Sequence, residues 1–174
     1  MKPDMHAITV TVDGKQEQAT VPSRQLLVHW LRDVLDKRGP KIGCDTGNCG
    51  ACTVNWDGTL VKSCMVLAVQ ADGTNVDTAA SLAAEDGALN ELQQNFKKYH
   101  ALQCGYCTSG MLMTSSDFLA SGEEVTEQST RRALKGNICR CTGYENIVRA
   151  VRATAGHDVP LPHNAVPTRE GDAQ

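Results

Sequence analysis

No apolar run in these 174 residues approaches the length of a membrane span, and Met1 to Val10 lacks the apolar core of a signal peptide. Neither export nor membrane insertion is expected, and the chain is read as cytoplasmic. Surplus positive charge is missing as well. A formal net charge of −3 and a pI near 5.9 give nucleic acid or an anionic membrane no electrostatic reason to bind. The histidines share no spacing: His6, His29, His100, His157 and His163 are read as structural or surface residues rather than ligands. Nor is any cysteine left over. The eight divide into Cys44, Cys49, Cys52, Cys64 and Cys104, Cys107, Cys139, Cys141. Two quartets in a chain of ordinary composition argue for two metal centres, with reduced thiols in the cytosol and a domain for each.

What is present centres on Gly43-Cys44-Asp45-Thr46-Gly47-Asn48-Cys49-Gly50-Ala51-Cys52. Three thiols can enter one small concavity from so short a stretch only if the backbone folds back on itself, which Gly47 and Gly50 permit. The spacing C-x4-C-x2-C with a more distant fourth cysteine is that of a plant-type [2Fe–2S] site, and Cys64 is the fourth. Amides of Gly47, Asn48, Gly50 and Ala51 are expected to face the anionic centre and raise its potential.

Before this loop, Ala7 to Val12 alternates, Asp13-Gly14 is a tight-turn dipeptide, and a second run continues to Val21. Pro22 closes that hairpin and Ser23 is positioned to cap a helix. Leu26, Leu27, Trp30, Leu31, Val34 and Leu35 then recur at helical spacing up to Gly39-Pro40, with Trp30 read as core. After the loop, Cys52 to Trp56 and Thr59 to Cys64 flank Asp57-Gly58, a second hairpin that returns Cys64 to the loop. A short strand is expected around Asn75 to Thr78. This order predicts a β-grasp domain over residues 1–80.

From Ser81 the pattern changes to helices. Leu89, Leu92 and Phe96 mark one, with Lys97 and Lys98 at its dipole-favoured end. Met111, Leu112, Phe118 and Leu119 mark a second, ended by Gly122, in which Met111 and Met113 are read as packing residues. A third spans about Glu127 to Lys135, stopped by Gly136. The fourth opens on a capping box, Thr142-Gly143-Tyr144-Glu145, and shows Ile147, Val148 and Val151 on one face. The fold class is therefore α+β, a β-grasp domain followed by a four-helix bundle over 81–156. The proline-bearing segment 157–174 is read as an extended or disordered tail, or an arm that orders on a partner.

The residues alone leave the second quartet open. Cys104-Gly-Tyr-Cys107 with Cys139-Arg-Cys141 suits a [2Fe–2S] cluster, a zinc site or, for its C-x-x-C, a redox dithiol. Arg140 either tunes that centre by its charge or is a solvated or partner-bridging arginine.

Four strings together carry a resemblance: Gly43-Cys-Asp-Thr-Gly-Asn-Cys-Gly-Ala-Cys-Thr53, Val61-Lys-Ser-Cys64, Leu102-Gln-Cys-Gly-Tyr-Cys107 and Gly136-Asn-Ile-Cys-Arg-Cys-Thr-Gly-Tyr144. From about Ile8 to Ala155 the chain resembles the small iron–sulfur subunit of the molybdenum hydroxylases, the xanthine oxidase family. Leu26 to Arg32 and Cys64 to Gly73 look closest to small subunits of aerobic carbon monoxide dehydrogenases and of bacterial N-heterocycle or aldehyde hydroxylases. The resemblance implies a plant-ferredoxin-like domain and a helical domain, each with one [2Fe–2S] cluster, and no catalytic residue or substrate site in this chain. It implies a large partner subunit with a molybdenum–pterin cofactor and a medium subunit with FAD, assembled as a dimer of heterotrimers. Electrons would leave the pterin through the helical-domain cluster and then the ferredoxin-domain cluster. Gln103 and Cys141 match positions that approach the pterin. Ser109 stands where the family usually has proline, which adds a donor and some freedom at a helix start. Two other readings are a freestanding two-cluster ferredoxin and a zinc-stabilised interaction module.

Overall fold

The computed structural model describes residues 4–162, so the readings at His163 and Pro167, and the expected tail from 163 to 174, lie outside the described residues. Two Asp-Gly turns shape the first half. Asp13 and Gly14 stand at φ 48° and 77°, and Asp57 and Gly58 at 46° and 84°. Paired positive values are those of a type I′ turn, whose twist matches the strands it joins. Each turn closes a predicted hairpin: β1 (Met5–Val12) with β2 (Lys15–Pro22), and β3 (Thr53–Trp56) with β4 (Thr59–Lys62). β5 (Asn75–Asp77) runs parallel to β1 and antiparallel to β3, uniting the hairpins in a mixed sheet of order β2-β1-β5-β3-β4. Alternation turns Ile8, Val10 and Val12 inward, where they join Val21, Val54 and Val76 against Leu27, Trp30 and Leu31.

The helix over this sheet departs from expectation. α1 (Leu27–His29) continues as a π-helical turn, Trp30–Val34, in which the Leu35 N–H donates to the Trp30 carbonyl at 3.1 Å. The wider turn swings Val34 off the apolar stripe, leaving it 56 % exposed, while Trp30 is wholly buried as predicted. Ser23 does not cap this helix. Its N–H and hydroxyl donate to the Asp4 carbonyl, and the cap position belongs to Leu26, whose side chain supplies no hydrogen bond. Tertiary pairing satisfies the helix start instead: the Leu27 N–H donates to the Val66 carbonyl at 2.7 Å.

Four further helices, α2 (Glu91–Lys98), α3 (Thr108–Ala120), α4 (Glu127–Ala133) and α5 (Glu145–Thr154), surround a second core. Leu92, Phe96, Met111, Leu112, Phe118, Leu134, Ile147, Val148 and Val151 form one cluster there. Reciprocal capping boxes, Asn90 with Gln93 and Thr126 with Ser129, start α2 and α4. Leu89 precedes the α2 cap and is exposed. The box expected at Thr142 does not form. Gly143 and Tyr144 stand at φ 63° and 69°, so the chain enters α5 left-handed rather than extended, and Tyr144 at the cap position supplies no side-chain bond. The Thr142 hydroxyl instead accepts the Tyr144 N–H at 3.1 Å and meets the Cys139 thiol at 3.1 Å.

Residues 157–162, the start of the segment read as an extended or disordered tail or a partner-ordered arm, pack back on the helical core. The Tyr99 hydroxyl donates to the Val159 carbonyl at 3.0 Å, and Val159 and Pro162 are buried. The lobes meet where α3 packs on β3, with both cysteine quartets close to that seam. No helix among the described residues is long and apolar enough to cross a membrane.

Candidate metal centres

The first quartet is assembled by a loop and a hairpin. Beyond β4 the ladder continues, because the Ser63 N–H and hydroxyl both donate to the Cys52 carbonyl at 3.2 and 2.7 Å. That brings Cys64 beside Cys52, and both are buried against Val28. At the loop's outer side, Cys44 Sγ accepts the N–H groups of Thr46 and Cys49 at 3.4 and 3.3 Å. The Thr46 hydroxyl and these two amides pull the Cys44 thiol down to about 6. Burial pushes Cys64 up to about 11, reinforced by the Cys52 thiol and opposed by the Gly47 N–H. Of the amides expected to face sulfur, that of Gly47 thus acts on Cys64, whereas Cys44 is served by Thr46 and Cys49. Gly50, at φ 75°, has no room for a side chain: a Cβ there would lie 2.4 Å from the Gly136 carbonyl oxygen.

The second quartet is assembled between helices. Cys107 is the cap residue of α3, and Cys139 and Cys141 lie between α4 and α5. Cys107 and Cys139 are buried, Cys104 and Cys141 exposed, with the two exposed sulfurs 3.4 Å apart. Burial pushes Cys107 up to about 12, with the Cys139 thiol adding to it. Burial also pushes Cys139 upward, but bonds from the Thr142 hydroxyl and from the Thr142 and Cys141 amides outweigh it, and its thiol is lowered. The Tyr106 N–H and the Cys141 thiol lower Cys104, while the same thiol contact raises Cys141.

All eight thiols are free. Metal binding requires thiolates and releases their protons, and N–H donors on sulfur favour an anionic centre. Four sulfurs with such donors suit a [2Fe–2S] cluster at each quartet. Among the described residues no group of three or more His, Cys, Asp or Glu side chains is arranged to hold a single metal ion. Gln103 and Arg140 are exposed, Gln103 next to Cys104 and Arg140 between Cys139 and Cys141 in the sequence. Ser109 lies in the first turn of α3 with its hydroxyl buried and unpartnered among the described residues. His6 meets Ser23 at 2.9 Å and His29 meets Asp33 at 3.2 Å. Met111 and Met113 are buried.

Sequence reasoning missed the residues that join the two quartets. The Ile138 N–H donates to the Cys49 carbonyl at 2.8 Å, the Asn137 amide to the Gly50 carbonyl at 3.3 Å, and the Tyr106 hydroxyl to the Ile42 carbonyl at 2.7 Å. Only the position of each donor next to or near a cysteine hinted at this.

Comparison with known proteins gives two family matches. Residues 10–86 match the 2Fe-2S iron-sulfur cluster binding domain, and residues 78–152 match the [2Fe-2S] binding domain. The chain is 44 % identical over 153 residues to the nicotine 6-hydroxylase small subunit of Paenarthrobacter nicotinovorans, covering 88 % of this chain and 92 % of that one. It is 52 % identical over 145 residues to the 6-hydroxypseudooxynicotine dehydrogenase complex subunit beta of the same organism, covering 82 % and 89 %. Among solved structures, quinoline 2-oxidoreductase from Pseudomonas putida 86 superposes with a TM-score of 0.82 at 40 % identity, covering 89 % of this chain and 99 % of that one.

Proposed function

This chain belongs to the small iron–sulfur subunits of the molybdenum hydroxylase family, and from that premise we propose that it is the electron relay of a multi-subunit enzyme. It passes single electrons from a molybdenum–pterin centre on a large partner subunit to FAD on a medium one, and binds no substrate itself. The observation that carries this reading is the placement of the quartets on either side of one seam, each with an outward rim. Cys104 and Cys141 are exposed on the helical lobe, and the Cys44 side of the loop quartet borders exposed Asp45, Thr46 and Asn48. Between the rims, a direct link from one ligand set to the other is the hydrogen bond from Ile138, next to Cys139, to the carbonyl of Cys49.

The ligands in this proposal are Cys44, Cys49, Cys52 and Cys64 in a domain ending near residue 80, and Cys104, Cys107, Cys139 and Cys141 in a helical domain ending near residue 156. Bound there, a [2Fe–2S] cluster supplies a site that takes up and releases one electron at a time. The protein's own part is to exclude water and steady charge. Val28, Cys52 and Cys64 wall the inner side of the first quartet, and the Thr46 and Cys49 amides hold negative charge on Cys44. At the second, the Thr142 hydroxyl supports Cys139 from within. Gln103 and Cys141 form the rim that faces the pterin, and Arg140 lies on that rim beside them. The assembly is a cytoplasmic dimer of heterotrimers.

The test is to purify the full chain from its host with whatever copurifies. About four iron and four acid-labile sulfide per chain, two rhombic EPR signals on reduction and a molybdenum-binding partner are expected. Stoichiometric zinc, or isolation of a stable chain without a molybdenum partner, overturns the proposal. The latter outcome favours a freestanding two-cluster shuttle.

A further inference from the structure

The seam between the lobes contains a buried, hydrogen-bonded joint. Asn137 is 2 % exposed, and both ends of its amide are engaged: Nδ2 donates to the Gly50 carbonyl at 3.3 Å, and Oδ1 accepts the Thr114 hydroxyl at 2.9 Å. Yet the Gly50 carbonyl already accepts the Thr53 N–H at 3.1 Å and the Thr53 hydroxyl at 2.7 Å, both from its own lobe. A carbonyl has two lone pairs, and these two donors occupy them. The third donor, from the opposite lobe, satisfies the buried Asn137 amide at an acceptor already filled, and so ties its position to the loop. The adjoining peptide is held in the same way, since the Cys49 carbonyl accepts the Ile138 N–H. Two consecutive carbonyls of the cysteine loop are thus held by two consecutive residues, which lead directly into Cys139.

Nothing cushions this contact. A Cβ on Gly110 would lie 2.1 Å from the Gly50 oxygen and 3.0 Å from Asn137 Nδ2. The backbone of α3 therefore touches the loop that carries Cys49 and Cys52, with no side chain between. On the far side, Asn137 is fixed through its own carbonyl, which accepts the Tyr144 hydroxyl at 3.1 Å, and that hydroxyl also accepts the Cys139 N–H at 3.0 Å. Asn137 is accordingly tied to both ligand sets, by its side-chain amide to the Gly50 carbonyl beside Cys49 and by its own carbonyl to the Tyr144 hydroxyl that accepts the Cys139 N–H.

We propose that Asn137, oriented by Thr114 and admitted by Gly50 and Gly110, is a positioning residue that sets the separation and relative orientation of the two cysteine quartets, and so the rate of electron passage between them. This inference rests on the relay reading above. It touches neither a substrate nor a metal, and it acts through the placement of Cys49 and Cys139.

The test uses the iron-loaded full chain in its native assembly, with Asn137→Ala and Thr114→Val as two variants of graded severity. Thr114→Val keeps shape and removes the one donor that orients the Asn137 amide. Both are expected to retain the wild-type iron content and the individual EPR g-values. The magnetic interaction between the two reduced clusters should change, because dipolar coupling falls steeply with separation. Electron passage from the first cluster to the second should slow severalfold in rapid-mixing traces, more for Asn137→Ala. Gly110→Ala, which drives a methyl into the Gly50 oxygen, should change the coupling further in the same direction. Unchanged coupling and unchanged transfer in iron-replete Asn137→Ala and Thr114→Val proteins overturn the proposal. Loss of both clusters together with the fold in both variants overturns it too, since Asn137 would then be a general core residue. A wild-type chain that lacks a second EPR species would instead overturn the relay reading itself, an outcome visible before any variant is made.

Discussion

The two quartets reach similar donor sets by opposite means. In the β lobe three cysteines come from one short loop and the fourth returns along a hairpin, so the site is built from neighbours in sequence, with sulfur supported by the loop's own amides. In the helical lobe two pairs arrive from segments separated by α3 and α4, and Cys107 and Cys139 form part of the apolar cluster that holds those helices together. The first site is a local structure placed on a sheet, whereas the second is inseparable from its core. A metal-binding loop can therefore fail without unfolding its lobe, and a metal-binding core cannot.

The largest effects should separate the sites most sharply. Cys49→Ser, at a half-buried loop position, should remove one EPR signal and roughly half of the iron while the helical signal and melting temperature hold. Cys107→Ser should remove the other signal and also lower the stability of the helical lobe. A buried hydroxyl without a partner costs about 1–3 kcal/mol before the lost metal is counted. EPR and calorimetry on both variants check this, and equal melting temperatures would erase the distinction drawn here.

Glycine substitutions sharpen it at an intermediate scale. Gly50 and Gly143 both have positive φ, at 75° and 63°, but a Cβ on Gly50 meets backbone at 2.4 Å whereas one on Gly143 meets nothing within 4 Å. Gly50→Ala should cost about 3–4 kcal/mol through strain plus overpacking. Gly143→Ala should cost only the backbone strain, about 1–2 kcal/mol. Chemical denaturation of the two variants measures the difference, and it should approach the cost of the clash alone.

The smallest effect concerns the sheet. Burial raises the Asp77 carboxyl, and the charge of Asp13 adds to the shift. A carboxyl raised in the folded state binds its proton more readily there than in the unfolded chain. Its protonation therefore favours folding at acid pH, and that contribution is lost as pH climbs from the ordinary carboxylate range through the raised value. At neutral pH the charged group is a mild burden, so Asp77→Asn should stabilise the β lobe. With much of the side chain in solvent, the gain should be below about 1 kcal/mol. The difference should vanish in acid, and melting curves at pH 3 and pH 7 would reveal any opposite trend.

The β lobe was largely legible because its signals are local. Asp-Gly pairs specify turns whatever surrounds them, and alternation specifies the inward face of β1. Where a local pattern had a tertiary competitor it misled. Ser23 and Thr142 each stand before a helix, but the Asp4 carbonyl takes the first and the Cys139 thiol with the Tyr144 N–H takes the second. The π turn after α1 left no mark in the spacing of Leu26 to Leu35. The helical quartet was legible as a quartet, but its metal was decided by resemblance, since C-x-x-C and C-x-C serve several chemistries. Asn137 was silent. Its role arises from contact with residue 50 across the seam, and nothing in the string Gly136-Asn137-Ile138 announces so distant a neighbour.

The two-residue turn at Asp57-Gly58 acts as a counter for the far end of its hairpin. Trp56 faces Thr59 and Thr53 faces Lys62, so every position up to Ser63 opposite Cys52 is dictated by the number of residues in the turn. One inserted residue would exchange the two faces of β4 and present the neighbour of Cys64 where its sulfur now lies. Surface turns commonly absorb insertions, but this one sits at the opposite end of a ruler whose zero mark is a ligand. Length variation along this hairpin is therefore tolerable only in steps that restore the phase, and a homologous chain that lengthens the turn must compensate with a bulge before it reaches the cysteine.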